Sequence, residues 1–195
     1  MSIEIDNKNN NEFPLFNNIE NLDKFLRILI AETNIKIEKI LTLGGIFGKE
    51  LEKLFTLFPE SQFLITDKSK SKLKPIKKKY EIFENFSTYV VNAFNGSSLL
   101  DFLLRNGKFD LVIVSRLNVY SPNKVRLLHF YRFIYNHFLK KKGVFCNIIK
   151  ESKIWEINHT ILKKKKPIIN EILNIKNSEN PMHVIFYDKK KNWIH

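Results

Sequence analysis

The chain has 195 residues, 44% of them hydrophobic and 27% charged, enough for one domain with an ordinary buried core. A single cysteine, Cys146, excludes an intramolecular disulfide and a cysteine-based metal cluster, and no apolar run approaches the ~20 residues of a membrane span. Lys and Arg number 33 against 20 Asp and Glu, a net charge of +13 that suits RNA, a membrane surface or an acidic protein as partner. The same excess arises without a partner under AT-rich codon usage, since Lys, Asn, Ile and Phe are abundant while Ala, Gly and Arg are scarce. The opening Met-Ser-Ile-Glu-Ile-Asp has neither the basic nor the apolar region of a secretory signal, so a cytoplasmic protein is expected.

Residues 1–18 read as a polar, asparagine-rich arm whose end Phe13, Leu15 and Phe16 can anchor, and residues 19–195 as one domain. Leu22, Phe25, Leu26 and Leu29 recur at helical spacing. From there apolar runs alternate with helical patterns. Strand Lys39–Leu43 is followed by a glycine-rich turn and a helix over 49–58, which Pro59 ends. Strand Gln62–Thr66 precedes helix Ser69–Tyr80, strand Ser87–Asn92 precedes helix Ser97–Asn106, and Phe109–Val114 is apolar enough for burial on both sheet faces. Asn123–Lys140 predicts one long amphipathic helix, with Val125, Leu128, Phe133 and Phe138 among its buried positions. Gly143–Ile149 is a fifth strand and Ser152–Lys165 a fifth helix. Ile168–Ile175 and His183–Asp188 then leave no room for a helix between them and predict an antiparallel hairpin. Five β–α units and a hairpin give a three-layer, doubly wound, mostly parallel seven-stranded sheet.

Ligands of such a sheet bind above the carboxyl ends of its strands. Ile40-Leu41-Thr42-Leu43-Gly44-Gly45-Ile46-Phe47-Gly48 is an apolar strand running into a glycine turn. Phe63-Leu64-Ile65-Thr66-Asp67 ends in a carboxylate, Phe109–Ser115 is the apolar fourth strand, and Phe138-Leu139-Lys140-Lys141-Lys142-Gly143-Val144-Phe145 leads into the fifth. In order and spacing, residues 38–188 resemble the Rossmann-like core of class I S-adenosylmethionine-dependent methyltransferases, whose sheets also close with such a hairpin. The resemblance implies S-adenosylmethionine as cofactor, with contacts from Gly44, Gly45, Gly48, Asp67, Asn92, Ala93, Phe94 and Ser115. Glycines let the backbone approach the methionine portion, and a carboxylate accepts both ribose hydroxyls. Asp67 reads equally well as an N-cap of the following helix. The chain departs from the family's pattern where Ile46 replaces the middle glycine, where Thr42 stands in place of an acidic residue, and at Lys142-Gly143 in place of a prolyl-glycine. The turn also lacks the G-x-G-x-x-G of a dinucleotide site.

Ser115-Arg116-Leu117-Asn118-Val119-Tyr120 follows the fourth strand, so Asn118 and Tyr120 are the candidates for orienting a methyl acceptor and Arg116 for binding an acidic one; each taken alone fits a solvated loop better than catalysis. His129 and His137 lie too far apart for a helical metal pair, and no metal site is expected. The substrate leans to a small molecule or a carrier-bound acyl group, for which an acidic carrier protein would suit the basic surface, with RNA second. The alternative is a non-catalytic methyltransferase-like scaffold that docks an acidic partner. Four lysine runs, Lys77–Lys79, Lys140–Lys142, Lys163–Lys166 and Lys189–Lys191, are expected at the sheet edge opposite the cofactor crevice, where RNA or an acidic protein would be tethered and where three of them also complement helix dipoles. Residues 1–32 are the only segment expected to cover the pocket.

Overall fold

The computed structural model describes residues 36–44, 49–115, 124–150, 169–173 and 182–188, together with Arg27. Its elements in chain order are β1 (Lys39–Leu43), α1 (Lys49–Leu57), β2 (Gln62–Asp67), α2 (Lys70–Tyr80), β3 (Phe86–Val90), α3 (Gly96–Asn106), β4 (Phe109–Ser115), α4 (Lys124–Phe133), β5 (Leu139–Lys150), β6 (Ile169–Leu173) and β7 (Met182–Asp188). The strands lie in the order β3-β2-β1-β4-β5-β7-β6, with β1 to β5 parallel and β7 antiparallel to both β5 and β6. The predicted arm, the first helix apart from Arg27, the fifth helix and the runs Lys163–Lys166 and Lys189–Lys191 lie outside the described residues.

Period-2 alternation divides the central strands between two faces. Leu41 pairs with Leu64 on one side and Val112 on the other, and this row packs with Phe102 of α3 and Ile134 after α4. Ile40 pairs with Phe63 and Leu111, the opposite row. There Phe55 of α1 lies 4.2 Å from Phe63 and 5.1 Å from Tyr80 of α2, measured between ring centroids. Helices therefore cover both faces, which is why Ile40, Leu41, Leu64, Leu111 and Val112 are fully buried and why the central strands read as unbroken apolar runs. Cys146 of β5 belongs to this interior, and burial raises its thiol pKa far above the ordinary value. Native protein should therefore be inert to a thiol reagent and show one reactive thiol only after denaturation; labelling of the native state would place Cys146 at the surface.

Two expectations need correction. The predicted long helix over 123–140 ends at Phe133, a single π turn follows over Ile134–Phe138, and β5 begins at Leu139. The wider turn places Ile134, Tyr135 and Phe138 in the core, with the Phe138 ring 6.3 Å from Phe102 and 6.2 Å from Phe109. Leu139 is fully buried beside Phe109, so strand pairing wins over continuation of the helix. Phe133 is only half-buried, and the side chains of Val125 and Leu128 lie outside the described residues. Lys140–Lys142 thus start a strand rather than end a helix, although they remain at the amino-terminal edge of the sheet, where the sequence places them. The third strand also differs from its expected bounds, running Phe86–Val90, because Asn92 turns the chain: its backbone oxygen accepts from Asn95 N–H at 2.9 Å.

Between Phe109 and Leu111 the β4–β5 register shifts, since Phe109 pairs with Leu139 but Leu111 with Val144. The surplus residues of β5 form a bulge, and Gly143 sits in it where a Cβ would lie 2.8 Å from Phe109 O and 3.0 Å from Lys140 N. Beneath this bulge Asp110, buried at 7% exposure, gathers three donors on Oδ2. These are Glu38 N–H at 3.1 Å, Lys39 N–H at 2.9 Å and Lys140 Nζ at 2.8 Å. Lys39 Nζ donates to Asn106 O and lies 5.3 Å from the centroid of the Phe109 ring. Its pKa is lowered, first by burial and then by the charge of Lys140, against the opposing pull of Asp110. One carboxylate thereby joins the amino-terminal ends of β1, β4 and β5.

Candidate functional site

The opposite edge of the sheet holds Gly44, Asp67, Ser115 and the turn with Asn92, Ala93 and Phe94, and strand register decides how they meet. Leu43 pairs with Thr66 and with Val114, so Gly44, Asp67 and Ser115 leave the sheet at one level. Asp67 in turn pairs with Val90, which brings the Val91–Phe94 turn alongside. With strands ~4.8 Å apart, the row from Ser115 to Val90 spans about 14 Å. It crosses the point between β1 and β4 where the strand order reverses, the usual ligand crevice of an open α/β sheet.

Gly44 has φ 89°, a conformation that favours glycine over any residue with a Cβ, and is half-buried. Gly45, Gly48 and Ile46 lie outside the described residues, as do Arg116, Asn118 and Tyr120. Ser115 is the last residue of β4, and its side chain likewise falls outside the description. Thr42 is fully buried, and its Oγ1 has no hydrogen-bond partner among the described residues, so it belongs to the core.

Asp67 is half-buried, and its Oδ1 accepts the backbone N–H of Ser69 at 2.8 Å. The N-cap position of α2 belongs to Ser69, so Asp67 stabilises the turn before the helix instead of capping it. Its Oδ2 makes no hydrogen bond among the described residues, which leaves one carboxylate oxygen for a ligand. Backbone Asp67 O accepts Val91 N–H at 3.0 Å, fixing the next turn against it.

In that turn Asn92 is exposed, and its Oδ1 accepts Phe94 N–H at 3.1 Å. Asn95 caps α3 by accepting Ser98 N–H at 3.1 Å, and Ser98 Oγ accepts Asn92 N–H at 3.3 Å. Ala93 is buried. Phe94 is half-buried, with its ring 5.5 Å from Phe130. Arg126 of α4 donates from Nη2 to Phe94 O at 2.8 Å, and its guanidinium carbon lies 5.8 Å from the Phe94 centroid. The turn is therefore pinned from two helices. Nothing in the sequence reading singled out Arg126. Its signal is compositional: in a chain with 28 Lys and 5 Arg, an arginine kept on a helix face marks a place where a planar fork does what an ammonium cannot.

His129 and His137 are both exposed, and no group of three metal-ligating side chains occurs among the described residues. Among those residues no helix is long and apolar enough to cross a membrane.

No family model matches the chain, and no curated protein matches it in sequence. Solved structures do match it in fold. The N-methyltransferase NodS from Bradyrhizobium japonicum in complex with S-adenosyl-L-homocysteine is similar with a TM-score of 0.68 at 10% identity, over 93% of each chain. CurJ carbon methyltransferase gives 0.65 at 9% identity, over 88% of this chain and 54% of that one. A chain of the fibrillarin/Nop5p complex gives 0.63 at 14%, over 85% of this chain and 80% of that one. With these neighbours and a parallel core ordered β3-β2-β1-β4-β5, the fold is that of the class I S-adenosylmethionine-dependent methyltransferases.

Proposed function

We propose that the chain is an S-adenosylmethionine-dependent methyltransferase whose cofactor lies along the carboxyl edge of β1 to β4. The observation that carries this reading is the strand register that sets Gly44, Asp67 and Ser115 at one level across the switch point, with the Val91–Phe94 turn beside Asp67. The residues fit the group: Gly44 at φ 89° opens the backbone to the methionine portion, and Asp67 Oδ2, which makes no hydrogen bond among the described residues, is available to accept from the ribose. Asn92, Ala93 and Phe94 then border the adenine, with Arg126 holding their turn in place. Gly45 and Gly48 complete the cofactor contacts. Bound S-adenosylmethionine supplies a methyl group activated on a sulfonium, and the chain's remaining task is to hold the acceptor in line with it. Asn118 and Tyr120, which follow β4 in the chain, take that role.

The acceptor is a small molecule or a carrier-bound group, with RNA the next choice. Neighbours of the same fold include both an N-methyltransferase and a carbon methyltransferase, so fold alone leaves the acceptor open. Ile46, which stands where the family's pattern has a glycine, favours a second reading, a non-catalytic scaffold that binds no cofactor.

Calorimetric titration with S-adenosylmethionine and S-adenosylhomocysteine separates the two. Binding to the native chain, weakened about 10- to 100-fold in Asp67→Ala through loss of a charge-assisted hydrogen bond, is the expected result. Asp67→Asn keeps an acceptor for Ser69 N–H and guards against an effect of turn geometry alone. Absence of binding to either ligand would discard the enzyme reading in favour of the scaffold.

A further inference from the structure

Six of the 11 residues of α2 are lysines: Lys70, Lys72, Lys74, Lys77, Lys78 and Lys79. The helix buries Leu73, Ile76 and Tyr80, and every exposed position apart from Ser71 and Pro75 carries one of those lysines. Lys79 is engaged by Glu52 at 2.5 Å. The other five have no carboxylate within ion-pair distance among the described residues.

Helix stability accounts for only part of this. Lys77, Lys78 and Lys79 occupy the last turn, where cations complement the helix dipole, but Lys70 and Lys72 stand in the first turn, where they oppose it and no acidic residue offsets them. The unneutralised charge is also ordered. Lys70, Lys74 and Lys78 follow one another at one-turn intervals, a line of cations with ~6 Å steps and about 12 Å overall. Lys68, exposed, precedes this line directly after Asp67.

We propose that the solvent face of α2 is a nucleic-acid-binding ridge that grips the phosphate backbone without reading base sequence. Regularly spaced cations match a polymer with one negative charge per repeat. An interface with an acidic protein centres on apolar or aromatic anchors, and α2 itself has none: the exposed large apolar side chains of the described residues, Ile82, Phe83, Val90, Leu100 and Leu104, all follow its last residue, Tyr80. Tyr80, the one aromatic residue of α2, is buried, so the helix offers bases no stacking platform and its own contacts are confined to phosphate. It starts at the level of Asp67 and runs across the covered sheet face to the opposite edge. It goes beyond methyl transfer and holds whether or not a cofactor binds.

Fluorescence anisotropy of the full chain with a labelled RNA duplex and a labelled DNA duplex, each in two unrelated sequences, tests this. The Lys70→Gln/Lys74→Gln/Lys78→Gln variant is compared with Lys108→Gln/Lys141→Gln/Lys142→Gln, which removes the same charge from exposed lysines at the starts of β4 and β5. The α2 variant should bind about tenfold or more weakly and show a log K against log salt slope shallower by about 3, with the control close to wild type. Equal binding of the two sequences supports backbone contact, and a duplex preference names the nucleic acid. If the α2 variant unfolds at lower temperature, the single Lys74→Gln, with a slope change of about 1, decides instead. Three results overturn the proposal: equal losses in both triple variants, no duplex binding by wild type at low salt, or α2-dependent binding of poly-glutamate without binding of either duplex. Asp67→Ala should leave duplex binding intact, so failure of the cofactor reading and failure of this one are distinct.

Discussion

Replacing Asp110 by alanine is expected to lower the unfolding free energy by about 2–4 kcal/mol, although this residue lies at the far edge of the sheet from the candidate site. Its Oδ2 accepts from the Glu38 and Lys39 amides and from Lys140 Nζ, and the carboxylate is almost wholly buried. Alanine leaves two amide donors without their partner and two lysines facing each other without the intervening negative charge. Lys140 is 40% exposed, so its own pairing contributes at the low end and the amides carry most of the effect. Asp110→Asn separates the parts, since the amide oxygen still accepts from the backbone while the charge is gone; about half the loss is expected. Chemical denaturation measures both. Added salt should recover part of the alanine loss by screening Lys39 from Lys140, and a fully salt-independent loss would assign the effect to the amides alone. An Asp110→Ala protein as stable as wild type would refute the account.

The second large effect is expected at Gly143. An added Cβ meets Phe109 O at 2.8 Å, Lys140 N at 3.0 Å and Lys140 O at 3.1 Å, all of them backbone atoms that cannot rotate away. Gly143→Ala should cost about 1–3 kcal/mol, and Gly143→Val more, since a branched side chain adds bulk where none fits. The bulge must then move, and with it the register that sets Phe109 against Leu139 and Leu111 against Val144. Because Lys140 belongs to the same bulge, Gly143→Ala combined with Asp110→Ala should fall short of additive. Strict additivity in a double-mutant cycle would show the two to be independent.

The parts of the fold that the sequence made legible are those decided locally. Leu111–Val114 could be read as a central strand because burial on both faces leaves an unbroken apolar run. The glycine turn after β1 and the carboxylate ending β2 could be read because each sits at a strand terminus. What could not be read depends on residues far apart in the chain. The end of α4 is set by the fit of Phe138 and Leu139 beside Phe102 and Phe109, and the helical pattern of 123–140 is silent about that contact. Asp110 looked like one polar residue in an apolar strand, because its partners at Glu38, Lys39 and Lys140 have no local signature. The grip of Arg126 on Phe94 was hidden for the same reason. At the candidate site, the placing of Gly44 and Asp67 at neighbouring strand ends was legible from spacing, whereas the engagement of Asp67 Oδ1 by the Ser69 amide was visible only in three dimensions.

The position of β1 bears on how the chain acquires its structure during synthesis. Leu41 lies between Leu64, soon available, and Val112, which is made much later. Until β4 leaves the ribosome, one side of β1 is an unsatisfied template for foreign strands, and the apolar row of Leu41 and Leu43 has lost half its cover. Nascent chains arrested before β4 should therefore aggregate or recruit chaperones, and those arrested after β5 should not.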